Sequence, residues 1–334
     1  MTPVRDRIDA LRDAGDPVAA LDAAIEALRG GADPALESLL VELRHEAFFQ
    51  AAPPVPVAVE PEPPRPRSGA DLPELARDEL TADALRDGIA THGCVLVRGL
   101  IDESEAGELR DGIDRTFAAF DDRQAGHRDP DDAPWFTPFT PSVGDYRIGG
   151  RKFMRESGGV WTVDSPRMMF VLTELIERHG LGDLVADYLG ERPALSANKC
   201  NLRRVPVDTQ TNWHQDGAFL GREVRSLNLW LALGPCGVDA PALDLVPRRL
   251  DRIVETGTPG AMFDWSVAPD KVAEAAGDVA VVRPTFEAGD ALFFDHLFLH
   301  RTGVSEGMTS ERHAIESWFF APSSYPDGQI PILL

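Results

Sequence analysis

The run AGDALFFDHLFLHRTG, residues 288–303, joins a turn, an apolar stretch and two histidines. Gly289-Asp290 is turn chemistry. The residues after it are too apolar for a wet surface, so they read as a strand buried in a β-fold. Burying an imidazole without a partner is unfavourable. His300, at the end of the run, therefore needs a partner, and a metal ion would supply one. His296 lies four residues earlier and competes for the same role.

Strands dominate outward from this run. ALSANKCNLRRV, SLNLWLALG, ALDLVP, VAVVRP and HAIESWFFAP are short β-rich segments separated by turn residues, all beyond residue 193. Before them, TADALRDGIATHG, SEAGELRDGIDRTFAAF, SPRMMFVLTELIERHG and LGDLVADYLG carry helical periodicity, and CVLVRGL is a buried strand. Helices followed by about seven or eight short strands point to an α+β fold, an antiparallel sandwich or barrel with helices on one side. Residues 121–164 are irregular and rich in bases and aromatics, which marks a functional loop and a candidate lid.

The N-terminal 50 residues stand apart as three short helices. Asp16-Pro17 and Asp33-Pro34 open the second and third as cap and first-turn proline, and Leu36, Leu40, Leu43 and Ala47 form a stripe. One helix pair of this kind is too little for a repeat array. It is expected to pack on the main domain, on a second copy or on a protein partner. Residues 51–68 contain seven prolines and read as a stiff linker, which puts the main domain at 69–334.

The formal net charge of −22 repels phosphate backbones, so nucleic acid is excluded as a partner and anionic membranes are unattractive. No apolar run reaches membrane-spanning length. Cys94, Cys200 and Cys236 form no CxxC, consistent with reduced thiols and a cytoplasmic protein.

Chemistry concentrates at TNWHQDGAFL, residues 211–220. On a strand, His214 and Asp216 would point the same way. A borderline metal accepts imidazole and carboxylate together, and a third ligand must come from elsewhere. Of eight histidines, His45, His92 and His179 read as caps or surface groups and His127 lies in a charged loop. His296, His300 and His313 remain. Arg312 follows His300 by twelve residues, and a hairpin of that size would set the two side by side. Two histidines and one carboxylate leave coordination positions open, the arrangement of non-haem iron(II) oxygenases. Arg312 offers the two-pronged donor that fits the far carboxylate of 2-oxoglutarate.

In this order, WHQDG, LWLAL, ALDLVP, GDALFFDHLFLHRTG and ERHAIESWF resemble the phytanoyl-CoA dioxygenase family of iron(II)/2-oxoglutarate-dependent oxygenases. The resemblance covers residues 70–325 and implies a double-stranded β-helix (jelly-roll) core with flanking helices. It implies Fe(II) on His214, Asp216 and His300, and 2-oxoglutarate held by Arg312, Thr302 and Trp230. O₂ would be the second co-reactant, succinate and CO₂ the co-products, and a C–H bond of a small molecule the target. The chain departs from the family at Arg301, expected to point out of the pocket, and at VPRRL, residues 246–250. Related halogenases replace the carboxylate ligand with Gly or Ala, so Asp216 favours hydroxylation, or a desaturating or ring-forming variant of it.

Asn201 and Arg203, on the strand before His214, are candidates for the cosubstrate's other end. Lys152, Arg155, Trp161 and His296 are candidate substrate contacts, and Asp295 is expected to face solvent or pair with a base. The alternative reading is an inactive jelly roll that acts as a scaffold through its N-terminal helices.

Overall fold

A computed structural model describes residues 3–51, 72–209 and 212–334. The proline-rich linker expected at 51–68 lies, apart from Ala51, outside the described residues. The helices are α1 (Pro3–Asp13), α2 (Pro17–Arg29), α3 (Pro34–Gln50), α4 (Ala82–His92), α5 (Glu103–Gln124), α6 (Arg151–Glu156), α7 (Pro166–Arg178), α8 (Leu181–Leu189), α9 (Gly217–Leu220) and α10 (Pro269–Ala276). The strands are β1 (Glu74–Ala76), β2 (Cys94–Arg98), β3 (Gly159–Trp161), β4 (Ala194–Ser196), β5 (Asn201–Val205), β6 (Ser226–Ala232), β7 (Ala242–Leu245), β8 (Ala291–Phe294), β9 (His300–Gly303), β10 (Arg312–Phe320) and β11 (Pro331–Leu333).

The larger sheet runs β1-β2-β8-β6-β10. The far edge of β10 is then shared by β5, which carries β3, and by β4, which carries β11. All these pairings are antiparallel except β1 with β2. The smaller sheet pairs β7 with β9 and is extended by single bridges, His214 to His300 on one side and Leu245 to Val282 on the other. This is the two-sheet jelly-roll architecture, with helices on the outside of the larger sheet.

Alternation along the strands decides which residues go where. In β6, Leu227, Leu229 and Leu231 join the cluster formed with α4, α5, α7 and α8, while Trp230 and Ala232 join the cluster between the sheets. In β10, Ile315 and Phe319 face the helices and Ala314, Trp318 and Phe320 face inward. Each such buried Leu, Ile or Phe side chain contributes roughly 1.5–3 kcal/mol. Arg312 and Glu316 share the inward parity of β10, so the strand that closes the core also delivers charge into it.

The N-terminal helices are not free-standing. Asp16 and Asp33 accept hydrogen bonds from Ala19 N and from Ala35 and Leu36 N, as their cap role predicts. The predicted stripe of α3 is buried, and so is its opposite face. Glu37 pairs with Arg167 of α7 at 2.6 Å, Arg44 donates to the Leu333 carbonyl at 2.9 Å, and Arg29 pairs with Glu174. His45, expected as a cap or surface group, is fully buried, with its ring nitrogens on the carbonyl oxygens of Pro331 and Val143. Charged residues conceal this second face, because read alone they suggest a wet surface.

Three local expectations are corrected. The 288–303 run is not one strand: β8 ends at Phe294, and the chain then crosses to the other sheet before β9 begins. Asp295 makes that crossing. Its carboxylate accepts from Leu297 N and pairs with Arg249. Consequently His300 and Arg312 are not hairpin neighbours; β9 pairs with β7, and β10 with β6, β5 and β4. The 279–284 segment contributes only the bridge at Val282 among the described residues.

Candidate metal centre and cosubstrate pocket

One ligand atom each from His214, Asp216 and His300 lies within 4.8 Å of the others. Three local devices bring them together. His214 and His300 form a backbone bridge, N to O at 3.0 and 3.1 Å in the two directions. Asp216 is not on the strand, contrary to the alternation argument. It sits at the entry to α9 with helical backbone angles, φ −62° and ψ −24°. The intervening Gln215 fixes this turn: its side-chain amide donates to the Arg252 and Leu297 carbonyls and its oxygen accepts from Val254 N. Gly217 N donates to the His296 carbonyl, and a Cβ at Gly217 would lie 3.0 Å from that oxygen.

The protonation states suit a metal. The Nδ1 atoms of His214 and His300 face the carbonyls of Asn212 and Phe298 at 3.1 Å, which leaves each Nε2 for the centre. Burial, aided by the proximity of His214, pushes the His300 imidazole down to about 4. It is neutral at physiological pH, the form that ligates. Asp216 turns Oδ2 toward His300 Nε2 at 3.9 Å and Oδ1 toward Lys199 Nζ at 3.9 Å.

Behind the cluster lies a polar wall. Arg312 is 1% exposed, with Nη1 on the Ala242 carbonyl and its guanidinium 5.4 Å from the Trp230 ring. Burial and the nearby Arg203 lower the Arg312 guanidinium to about 10, so it stays charged at neutral pH. Glu316 accepts from Asn201 Nδ2 at 2.8 Å and faces Arg203 at 3.5 Å. Burial opposes ionisation of Glu316, but Arg203, the Asn201 amide and Arg312 together hold its carboxyl below the usual range. Burial lowers the Lys199 ammonium against the pull of Asp216 and Glu316.

Several polar atoms here are buried without a hydrogen-bond partner among the described residues: Arg312 Nε, Arg203 Nε, Trp230 Nε1 and Asn201 Oδ1. Three of these are donors, two of them guanidinium nitrogens, and they fit a polyanionic ligand such as a keto dicarboxylate; the Asn201 oxygen is an acceptor. The donor set of two imidazoles and one carboxylate fits a divalent iron.

The other sequence candidates divide. Thr302 lies on β9 with the parity of His300, whereas Arg301 turns away to pair with Asp244 and cover the Trp213 ring. Trp161 pairs with Asn201 across β3 and β5. His296 is buried, with Ser226 Oγ at 2.9 Å and the Arg222 carbonyl at 3.0 Å on its two ring nitrogens, so both nitrogens are used within the protein. Lys152 and Arg155 lie on α6, where they pair with Glu156 and with Asp121 of α5, not with the cluster. His313 binds Asp114 of α5 at 3.0 Å. The sequence reading missed Lys199 and Glu316. Glu316 had a signal, following Arg312 by four on one strand; Lys199 had none of that kind, because it lies in the turn between β4 and β5.

Comparisons with known proteins agree with this fold. The chain is similar to EctD from S. alaskensis solved with 2-oxoglutarate and 5-hydroxyectoine: 16% identity over 81% of this chain and 88% of that one, TM-score 0.51. The apo form of the same protein gives 16% identity over 79% and 85%, TM-score 0.50. These likenesses establish the fold. No curated protein matches the sequence. The phytanoyl-CoA dioxygenase family profile matches residues 89–312, most of the chain, from the helix before β2 to Arg312 at the start of β10. The chain therefore belongs to the phytanoyl-CoA dioxygenase family of iron(II)/2-oxoglutarate-dependent oxygenases.

Proposed function

We propose that residues 69–334 hydroxylate an unactivated C–H bond of a small-molecule metabolite or natural-product intermediate, using Fe(II), 2-oxoglutarate and O₂. The observation that carries this reading is the convergence of His214, Asp216 and His300 within 4.8 Å, with Glu316 as a common neighbour of His300 and of a buried arginine that has an orphaned donor. His214, Asp216 and His300 would hold the metal, and Arg312, with Trp230 and Thr302, the far carboxylate of the cosubstrate. When bound, iron and cosubstrate supply oxygen activation, with succinate and CO₂ as co-products.

The chain's own contribution is placement. The backbone bridge sets the spacing of the two imidazoles, and burial keeps His300 neutral. Glu316 holds Asn201 and Arg203 in fixed positions on the pocket wall. Phe294 and Phe298 pack 4.7 and 5.9 Å from the His300 ring and shield that side of the centre from water. Helices α1, α2 and α3 act as a fixed flank of the catalytic domain, supported by the buried Glu37–Arg167 and Arg44–Leu333 contacts. A cytoplasmic setting is supported by Cys94, Cys200 and Cys236, none of which is in a disulfide. No described helix is long and apolar enough to cross a membrane.

The test is succinate release by the purified protein with Fe(II), 2-oxoglutarate and O₂. Release that disappears in His214→Ala is expected. Absence of both iron binding and succinate release would sink the assignment and leave a jelly-roll scaffold.

A further inference from the structure

The substrate side of the centre has a built corner. Lys199 Nζ stands 3.4 Å over the Phe219 ring and 3.9 Å from Asp216 Oδ1. Trp265 meets His214 edge-on at 5.7 Å and Phe219 edge-on at 5.9 Å, and Phe263 stacks on Trp265 at 5.1 Å with an interplanar angle of 6°. Phe219, Phe263 and Trp265 are 37%, 38% and 36% exposed. Three contiguous exposed rings beside two metal-ligand candidates are costly to leave in water and mark a ligand-binding face. The ammonium lies against the Phe219 ring, with its side chain 21% exposed.

Charge then selects the ligand. Asp216 and Glu316 bring two negative charges to the cavity; Lys199, Arg203 and Arg312 bring three positive ones. A ferrous ion and dianionic 2-oxoglutarate cancel each other. One positive charge is left over, and Lys199 is its natural owner, because Arg203 faces Glu316 and Arg312 is set aside for the cosubstrate. Asp216 does not satisfy Lys199: at 3.9 Å it makes no hydrogen bond, and metal binding would draw its charge away. Among the described residues Nζ has no hydrogen-bond acceptor. A desolvated cation of this kind takes a carboxylate.

We propose that Lys199, Phe219 and Trp265 form the substrate-recognition corner, and that the substrate is a monoanionic carboxylic acid with a flat, largely apolar body. The body lies against Trp265 and Phe219, and the carboxylate reaches Lys199. The metal then sees a C–H bond set by these two anchors. This inference rests on the oxygenase reading.

The test uses the full chain loaded with Fe(II) and 2-oxoglutarate without O₂, titrated calorimetrically with 1-naphthoate and indole-3-acetate and with their neutral amides. The acids are expected to bind about tenfold or more tighter than the amides. Lys199→Gln should erase that preference, Lys199→Arg should keep it, and Trp265→Ala should weaken acid and amide alike by about tenfold. Equal binding of acid and amide, binding of neither, or a preference unchanged in Lys199→Gln would overturn the proposal. So would a Lys199→Gln variant that loses 2-oxoglutarate about tenfold while keeping the acid preference, since the ammonium would then serve the cosubstrate. Failure of the wild-type protein to bind Fe(II) or 2-oxoglutarate is a different result: it removes the oxygenase reading itself.

Discussion

His214 and His300 exchange both backbone hydrogen bonds, at 3.0 and 3.1 Å, and their ring centroids stand 4.4 Å apart. Two imidazoles separated by more than eighty positions in sequence are therefore set by main-chain geometry, not by flexible side chains. Replacing either with alanine should remove a ligand while leaving the bridge, and hence the fold, in place. Fe(II) affinity is expected to fall by about a hundredfold or more in His214→Ala, Asp216→Ala and His300→Ala, since even an outer partner of a ligand is worth 10–100-fold. Metal retained after dialysis reads the loss directly. Thermal stabilisation by Fe(II), about 2.7 kcal/mol at a hundred times the dissociation constant, should vanish with it.

Arg312 presents two prongs where a lysine presents one point charge. Arg312→Lys keeps the charge but loses the fork, and a charge-assisted hydrogen bond is worth about 1.5–3 kcal/mol. The Michaelis constant for 2-oxoglutarate should rise roughly 10–100-fold. A smaller effect on iron affinity is expected, because Arg312 touches no metal-ligand candidate. Equal losses of iron and cosubstrate would place it at the metal instead.

Glu37 is 1% exposed and its one ion-pair partner among the described residues is Arg167. Burial raises the Glu37 carboxyl above its ordinary range, and Arg167 opposes the rise. Arg167→Ala would leave a buried, uncompensated charge and should cost about 3–5 kcal/mol in urea unfolding at neutral pH. Without its counter-charge the carboxyl titrates higher still in the folded state. The deficit should therefore shrink as pH falls through that raised value, because the folded chain can then bury Glu37 as the neutral acid. A deficit unchanged between pH 8 and pH 5 would contradict this account.

Burial pushes the Cys200 and Cys236 thiols up to about 12. An ordinary thiol ionises lower, so the unfolded chain loses these protons first as pH rises. The stability contributed by keeping them neutral is present below the unfolded value and is lost as pH climbs through about 9 toward 12. Below that window both thiols should resist alkylation in the native protein and react fully in denaturant. Mass spectrometry after iodoacetamide at pH 8 checks this, and native labelling of either would show that the site opens.

Much of the architecture follows from local pattern. The β-rich segments that become β6 and β10, the helical segments that become α4, α5, α7 and α8, and the apolar stripe of α3 are readable from sequence and present in the structure. The aspartate caps of α2 and α3 are equally local. Fewer residues of the site were readable. The His-x-Asp pair and the apolar run ending at His300 announce themselves, because ionisable side chains inside hydrophobic segments need partners. Glu316 shares the inward parity of Arg312, but a charged residue on a strand is more often on its wet face, and Lys199 lies in a turn, where parity names no face.

By itself, then, the sequence determined where most helices and strands lie and which apolar residues they offer for burial, since that depends only on periods of 2 and 3.6 residues and on the cost of dehydrating polar atoms. Only the tertiary structure decided which buried groups meet. The chain crosses between sheets at Asp295, Asp216 enters the centre from a helical turn, and Arg312 reaches it from the larger sheet and not from a hairpin partner of His300. Strand order and sheet crossing are set by long-range packing that no local window contains. For the same reason the aromatic corner around Lys199, drawn from residues 199, 219, 263 and 265, exists only once the chain is folded.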